Sequence, residues 1–201
     1  IQTNKGDITL WSNEGTGNDG FVYLADRFSL NSDNGYNPRG ANRVASQLRT
    51  EGGDILLAGG EDTNSDDKPD GYAYRGLSSS YYGIRIGTSN GENTIYSGGG
   101  DITMRGMTAN GNMAGIGIIG GKYGTNASNV YTTDGEGKLI ASGKGRILLE
   151  GRGVAANTLG VAMSEVTPGG VSIRSGYDAT GTESAIVLDG KVTNSLFPAV
   201  R

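Results

Sequence analysis

The chain has 201 residues, 37 of them glycine, with no cysteine, no histidine, 35% hydrophobic residues and a formal net charge of −4. That composition excludes a disulfide framework, thiolate or imidazole metal sites, and Cys/His or Ser/His nucleophilic catalysis. No run of Lys or Arg supplies the basic stripe that nucleic acid requires, and no apolar run reaches the length of a membrane-spanning helix.

The first predicted elements are carried by Ile1 and Ile8, with Gly6 between them. The same register returns at Leu48, Gly53 and Ile55, at Ile95, Gly100 and Ile102, and at Ile140, Gly145 and Ile147. A looser match joins Val166 to Ile173 across Gly169 and Gly170. Ile8-Thr9-Leu10, Ile55-Leu56-Leu57, Ile102-Thr103-Met104 and Ile147-Leu148-Leu149 alternate with a period of two, which predicts short strands. A further strand is predicted at Val22-Tyr23-Leu24, Ile84-Arg85-Ile86, Ile116-Gly117-Ile118 and Val161-Ala162-Met163.

Three short strands per unit, parted by glycine turns, predict an all-β chain folded as a right-handed parallel β-helix (solenoid) of about five coils. Coil starts fall near residues 1, 48, 95, 140 and 166 of a single segment spanning 1–201. Equivalent isoleucines would stack at strand spacing, about 4.8 Å. The chain begins already in register, which we read as the mark of an internal fragment of a longer repeat protein. The first units carry extra residues, around Arg27–Ser46, Glu61–Arg75 and Gly120–Lys138. These read as loops decorating one coil, and loops are where repeat proteins display binding surfaces. The alternative is that each 47-residue unit is two coils, with Phe28-Ser29-Leu30 and Val130-Tyr131-Thr132 as additional strands.

The strings GDITL, GDILL and GDITM, with Ile-x-Ser-Gly at Ile95–Gly98 and Ile140–Gly143, resemble the repeats of filamentous-haemagglutinin-like exoproteins of two-partner secretion. The resemblance covers nearly the whole chain, although its motifs are short and degenerate. It implies a right-handed parallel β-helix, an outer-membrane secretion transporter as partner, and a bacterial secreted or cell-surface location. The family's amino-terminal secretion domain is not visible here, and the insertions make the units irregular. The implied role is a non-enzymatic structural shaft of an adhesin or extracellular fibre, with loops presented to a host or neighbour-cell glycan or protein. Two other roles stay open. One is a self-assembling filament subunit joined head to tail through strand edges, the partner being an identical chain. The other is a polysaccharide-cleaving enzyme.

The sharpest local motif runs from Asp62 to Gly71, with oxygen-bearing side chains at Asp62, Asn64, Asp66 and Asp70. Side chains at alternate positions can wrap a hard cation that takes six to eight oxygens, so calcium is the expected metal. The string is similar to the calcium loops of thrombospondin type 3 repeats, and departs from them at Asp67, where that family has glycine. No other cofactor is expected.

Asp7, Asp54 and Asp101 share one place in three successive units, followed by Arg146 in the fourth. Paired carboxylates could serve a glycosidase, but Asp beside glycine before a strand is also favoured turn chemistry. The second reading accounts for the repetition, so no catalytic residue is expected. Arg85 occupies an outward strand position with no acidic cluster implied by its spacing. Charged residues read as spread along the chain rather than gathered in one groove.

Overall fold

The computed structural model describes residues 1–12, 19–24, 27–28, 43–44, 47–75, 82–86, 93–119, 128–131, 145–164, 171–175 and 185–192. Every regular element among them is a strand. The chain first forms β1 (Ile8–Ser12), β2 (Asp19–Gly20) and β3 (Val22–Leu24), then the short pair β4 (Arg27–Phe28) and β5 (Arg43–Val44). A second round holds β6 (Gln47–Arg49), β7 (Ile55–Gly59), β8 (Ala73–Arg75) and β9 (Ile84–Ile86). A third holds β10 (Asn93–Tyr96), β11 (Ile102–Thr108) and β12 (Ala114–Ile119). The fourth is β13 (Ser128–Tyr131), β14 (Ile147–Gly153) and β15 (Leu159–Ser164), followed by β16 (Val171–Arg174) and β17 (Ile186–Val192).

Apart from the antiparallel pairs β2–β8 and β4–β5, these strands make three sheets of parallel ladders that the chain visits in turn. The first has the order β6-β10-β13-β16, the second β1-β7-β11-β14-β17, and the third β3-β9-β12-β15. Ile8, Ile55, Ile102, Ile147 and Ile186 are successive partners in the second sheet. Val22, Ile84, Ile116 and Val161 are partners in the third. Ile8 pairs directly with Ile55, so no other strand lies between β1 and β7 in the second sheet.

Two expected strand places change. Val130, not Ile140, partners Ile95, and Ile173 partners Val130 in the first sheet rather than Ile147 in the second. The place assigned to Ile173 is taken by Ile186. Ile140 and Val166 lie outside the described residues. Short apolar-polar alternation fits several nearby segments, so a neighbouring segment can take the rung. Ser128–Tyr131 is thus a ladder strand within the segment read as the third loop. Arg27–Phe28 pairs antiparallel with Arg43–Val44, which rules out a parallel rung there; Ser29 and Leu30 lie outside the described residues, as does most of Arg27–Ser46.

The inward positions of all three sheets merge in one hydrophobic cluster that includes Leu48, Ile55, Ile84, Ile95, Ile102, Ile116 and Ile147. Along β11 and β14 burial alternates strictly, as the two-residue side-chain period requires. The repeated glycine before the second-sheet strand has a steric cause. A Cβ on Gly53 would lie 2.4 Å from the carbonyl oxygen of Gly6, and one on Gly100 would lie 2.3 Å from that of Gly53. At the far end of the strand, a Cβ on Gly106 would lie 2.3 Å from the oxygen of Gly115, and one on Gly151 would lie 2.0 Å from that of Gly160. Glycines in facing pairs therefore let the second and third sheets converge backbone to backbone.

The second insertion interrupts a strand. Ile55–Leu57 of β7 pairs with Ile102–Met104, and Ala73–Arg75 of β8 pairs with Gly106–Thr108 of the same β11. Between them the chain leaves the sheet and returns through a Gly59–Gly71 bridge. The Trp11 indole N–H donates to the Gly60 oxygen at 2.7 Å, so this side chain pins the base of the second insertion.

Candidate functional site

Three groups of side chains have the chemistry to act: the Asp7–Asp54–Asp101 column, the Asp62–Asp70 loop, and a charged row on the outer face of the second sheet.

The column is a hydrogen-bond ladder. Asp7 Oδ1 accepts from the Asp54 amide at 2.8 Å, Asp54 Oδ1 from the Asp101 amide at 2.8 Å, and Asp101 Oδ1 from the Arg146 amide at 2.7 Å. Each carboxylate thus satisfies a backbone donor one round on, just before the strand begins. A second ladder runs inside it. The hydroxyls of Thr3, Thr50 and Ser97 donate to the carbonyls of Gly6, Gly53 and Gly100. Thr50 and Ser97 are fully buried, so these bonds satisfy polar groups that would otherwise be costly. Sequence reading passed over these hydroxyls, although Thr/Ser-x-x-Gly recurs at every one of these turns.

The Asp62–Asp70 loop is closed by its own amides. Asp62 accepts from the backbone of Asn64, Ser65 and Asp66 through Oδ1, and from Asp67 through Oδ2 at 2.9 Å. Asn64 Oδ1 accepts from Asp66 N, and Asp66 Oδ1 from Lys68 N. Asp70 Oδ2 accepts from the Thr63 hydroxyl at 2.6 Å and the Thr63 amide at 2.8 Å, while Asn64 Nδ2 donates to Asp70 Oδ1. The Thr63 hydroxyl bond, supported by the Thr63 amide, holds the Asp70 carboxyl below its ordinary range.

Against calcium the donor set fits in kind, since Asp62, Asn64, Asp66 and Asp70 all carry oxygen. The departure at Asp67 does not block the turn: its φ is 60°, the left-handed conformation that glycine supplies in calcium loops and that Asp tolerates. In the arrangement described, however, no three Asp, Glu, His or Cys side chains gather as a metal-holding group among the described residues. Hydrogen bonds hold the loop's shape, and Lys68 Nζ lies 3.9 Å from Asp7 Oδ2, tying the loop to the aspartate column.

The third group was not foreseen. Arg105, Glu150 and Asp189 are register partners in β11, β14 and β17, and Arg152 lies two residues beyond Glu150. Arg105 Nε meets Glu150 Oε2 at 2.7 Å, Arg152 Nη2 meets Asp189 Oδ2 at 2.8 Å, and Arg152 Nη2 lies 3.5 Å from Glu150 Oε1. Tyr72, where the inserted loop rejoins the sheet, sets its ring 5.3 Å from the Arg152 guanidinium carbon. Burial works against the Arg152 charge. The Asp189 hydrogen bond, with Tyr72, Asp189 and Glu150 nearby, outweighs it and raises the affinity for the proton. Charges that read as spread along the chain are therefore gathered here. The sequence signal is present in hindsight: Arg105, Glu150 and Asp189 each stand three residues after the leading isoleucine.

Chemically, the row offers two carboxylates and two guanidiniums in alternation, each carboxylate bound to arginine. No family model matches the chain, and neither curated proteins nor solved structures supply a match.

Proposed function

We propose that this chain is a segment of a right-handed parallel β-helix serving as the non-enzymatic structural shaft of a secreted or cell-surface adhesin or extracellular fibre. The observation that supports this reading is the stacking itself. Three parallel sheets are visited in turn, and the same isoleucine, glycine and aspartate places return one strand apart. Such a stack lengthens by repetition and needs only nearest-neighbour contacts, which suits a rod. Ladders of Asp, Thr and Ser spend their polar groups on the scaffold. The resemblance to filamentous-haemagglutinin-like exoproteins adds the outer-membrane transporter and the extracellular location to the proposal.

A head-to-tail filament is the second reading, and exposed apolar side chains favour it. Ile186 is 37% exposed although its register partner Ile147 is fully buried, and Val187 is 40% exposed. Beyond β14, β17 has no second strand partner among the described residues, and a sheet edge with an apolar face is a template for another strand. A polysaccharide-cleaving enzyme is the third, favoured by the carboxylates Glu150 and Asp189 on an outer sheet face. Both are committed to arginine partners, which speaks for a scaffold role instead.

Electron microscopy of the purified native material, with and without a calcium chelator, tests the proposal. Isolated short rods are the expected result for a shaft. Long uniform filaments would replace it with the filament subunit, and compact particles without a rod axis would contradict both.

A further inference from the structure

Arginines on the outer faces differ in one respect. Arg105 and Arg152 are bound to carboxylates, whereas Arg85 in β9 has no carboxylate partner among the described residues, and its Nε is buried without a hydrogen bond. Two rings flank it instead. The guanidinium carbon lies 5.1 Å from the centroid of Tyr23 and 5.7 Å from that of Tyr82, within cation–π range.

The fold builds this arrangement across three neighbouring strands. Tyr23, Arg85 and Gly117 are register partners in β3, β9 and β12. Tyr82 lies over Gly117, where a Cβ would come within 2.4 Å of its ring, so glycine at that place makes room for the aromatic. On the Tyr23 side the aromatic surface is part exposed: Tyr23 is 39% exposed and Phe21, beyond the buried Val22, is 38% exposed. Arg49 over Tyr96 is the nearest comparison, but that ring is buried and presents no open face.

We propose that Tyr23, Arg85 and Tyr82 form a binding site for the carboxylate-bearing ring of an acidic sugar. A guanidinium presents donors in a planar fork that matches a carboxylate, and the face of an aromatic ring packs against the apolar C–H face of a pyranose. One guanidinium without a carboxylate partner among the described residues, in a chain of net charge −4, suits one carboxylate rather than a dense polyanion. The site lies on a sheet face rather than on the inserted loops, and it stands whether the chain is a shaft or a filament subunit.

The test is titration of the full chain with a galacturonic acid trisaccharide and with its methyl ester, followed by NMR. The acid is expected to bind with Kd of about 0.1–1 mM, and the ester at least about tenfold more weakly because the charge-assisted fork is lost. Arg85→Gln and Tyr23→Ala should each weaken the acid by about tenfold, and Arg85→Lys by less than Arg85→Gln. Circular dichroism checks the fold of each variant, and the acid-against-ester comparison needs no variant at all. The proposal is overturned if the ester binds as well as the acid, if folded Arg85→Gln binds as the native chain does, or if the acid causes no shift up to its solubility limit.

Discussion

At Gly100 a single methyl group decides whether two rounds can stack. Its Cβ would lie 2.3 Å from the Gly53 oxygen, a backbone atom fixed by its own ladder. We expect Gly100→Ala to cost roughly 2–3 kcal/mol in urea unfolding. Gly111→Ala is the control: its Cβ would meet only the Ala156 oxygen, at 3.3 Å. It should cost under about 1 kcal/mol, and equal costs at the two positions would refute the steric account. Ile102 is fully buried, so Ile102→Ala should cost about 2–5 kcal/mol. Ile102→Asp should abolish the cooperative transition, because it buries an unpaired charge. Protease resistance unchanged in Ile102→Asp would show that the column is not a core.

At the scale of elements, the inserted loop is the informative case. Asp70 has a lowered pKa in the folded chain, so its contribution to loop stability is fully present above the ordinary carboxylate range and is lost as pH falls through the lowered value. Thr63→Val removes the first cause of that shift and should move the Asp70 titration, followed by NMR, up towards the ordinary carboxylate range. An unmoved titration would mean the hydroxyl is not the cause. Calcium at the loop is tested by melting. The sequence expectation is that calcium raises the melting temperature of the native chain and leaves that of Asp66→Ala unchanged. An equal response in both places the cation elsewhere, and no response leaves the loop a hydrogen-bonded turn. Much of this element scale was legible in the sequence, because the stacked side chains are dictated by register: Ile55, Ile102 and Ile147 could be placed from spacing alone. Val130 could not, because Ile140 fits the same short pattern and only pairing chooses between them. The row of Arg105, Glu150 and Asp189 became visible only once the three strands were aligned, since outward positions carry no hydrophobic signal. The slot at Arg85 depended on Tyr82, which spacing does not bring over Gly117.

For the whole molecule, the central claim is that residues some 45 positions apart are direct neighbours in parallel register. The chain has no cysteine, so an introduced pair reports on that register alone. Thr103 and Leu148 are outward partners in β11 and β14, at strand spacing of about 4.8 Å, within disulfide reach. A slip of one residue would turn one of them to the opposite face of the sheet. Oxidation of Thr103→Cys/Leu148→Cys, read by mass spectrometry under non-reducing conditions, should give an intramolecular disulfide. The pair Thr103→Cys/Leu149→Cys, with one side chain outward and one inward, should stay reduced. A disulfide in the second pair and none in the first would contradict the register, and with it the stacked architecture on which the proposed function rests.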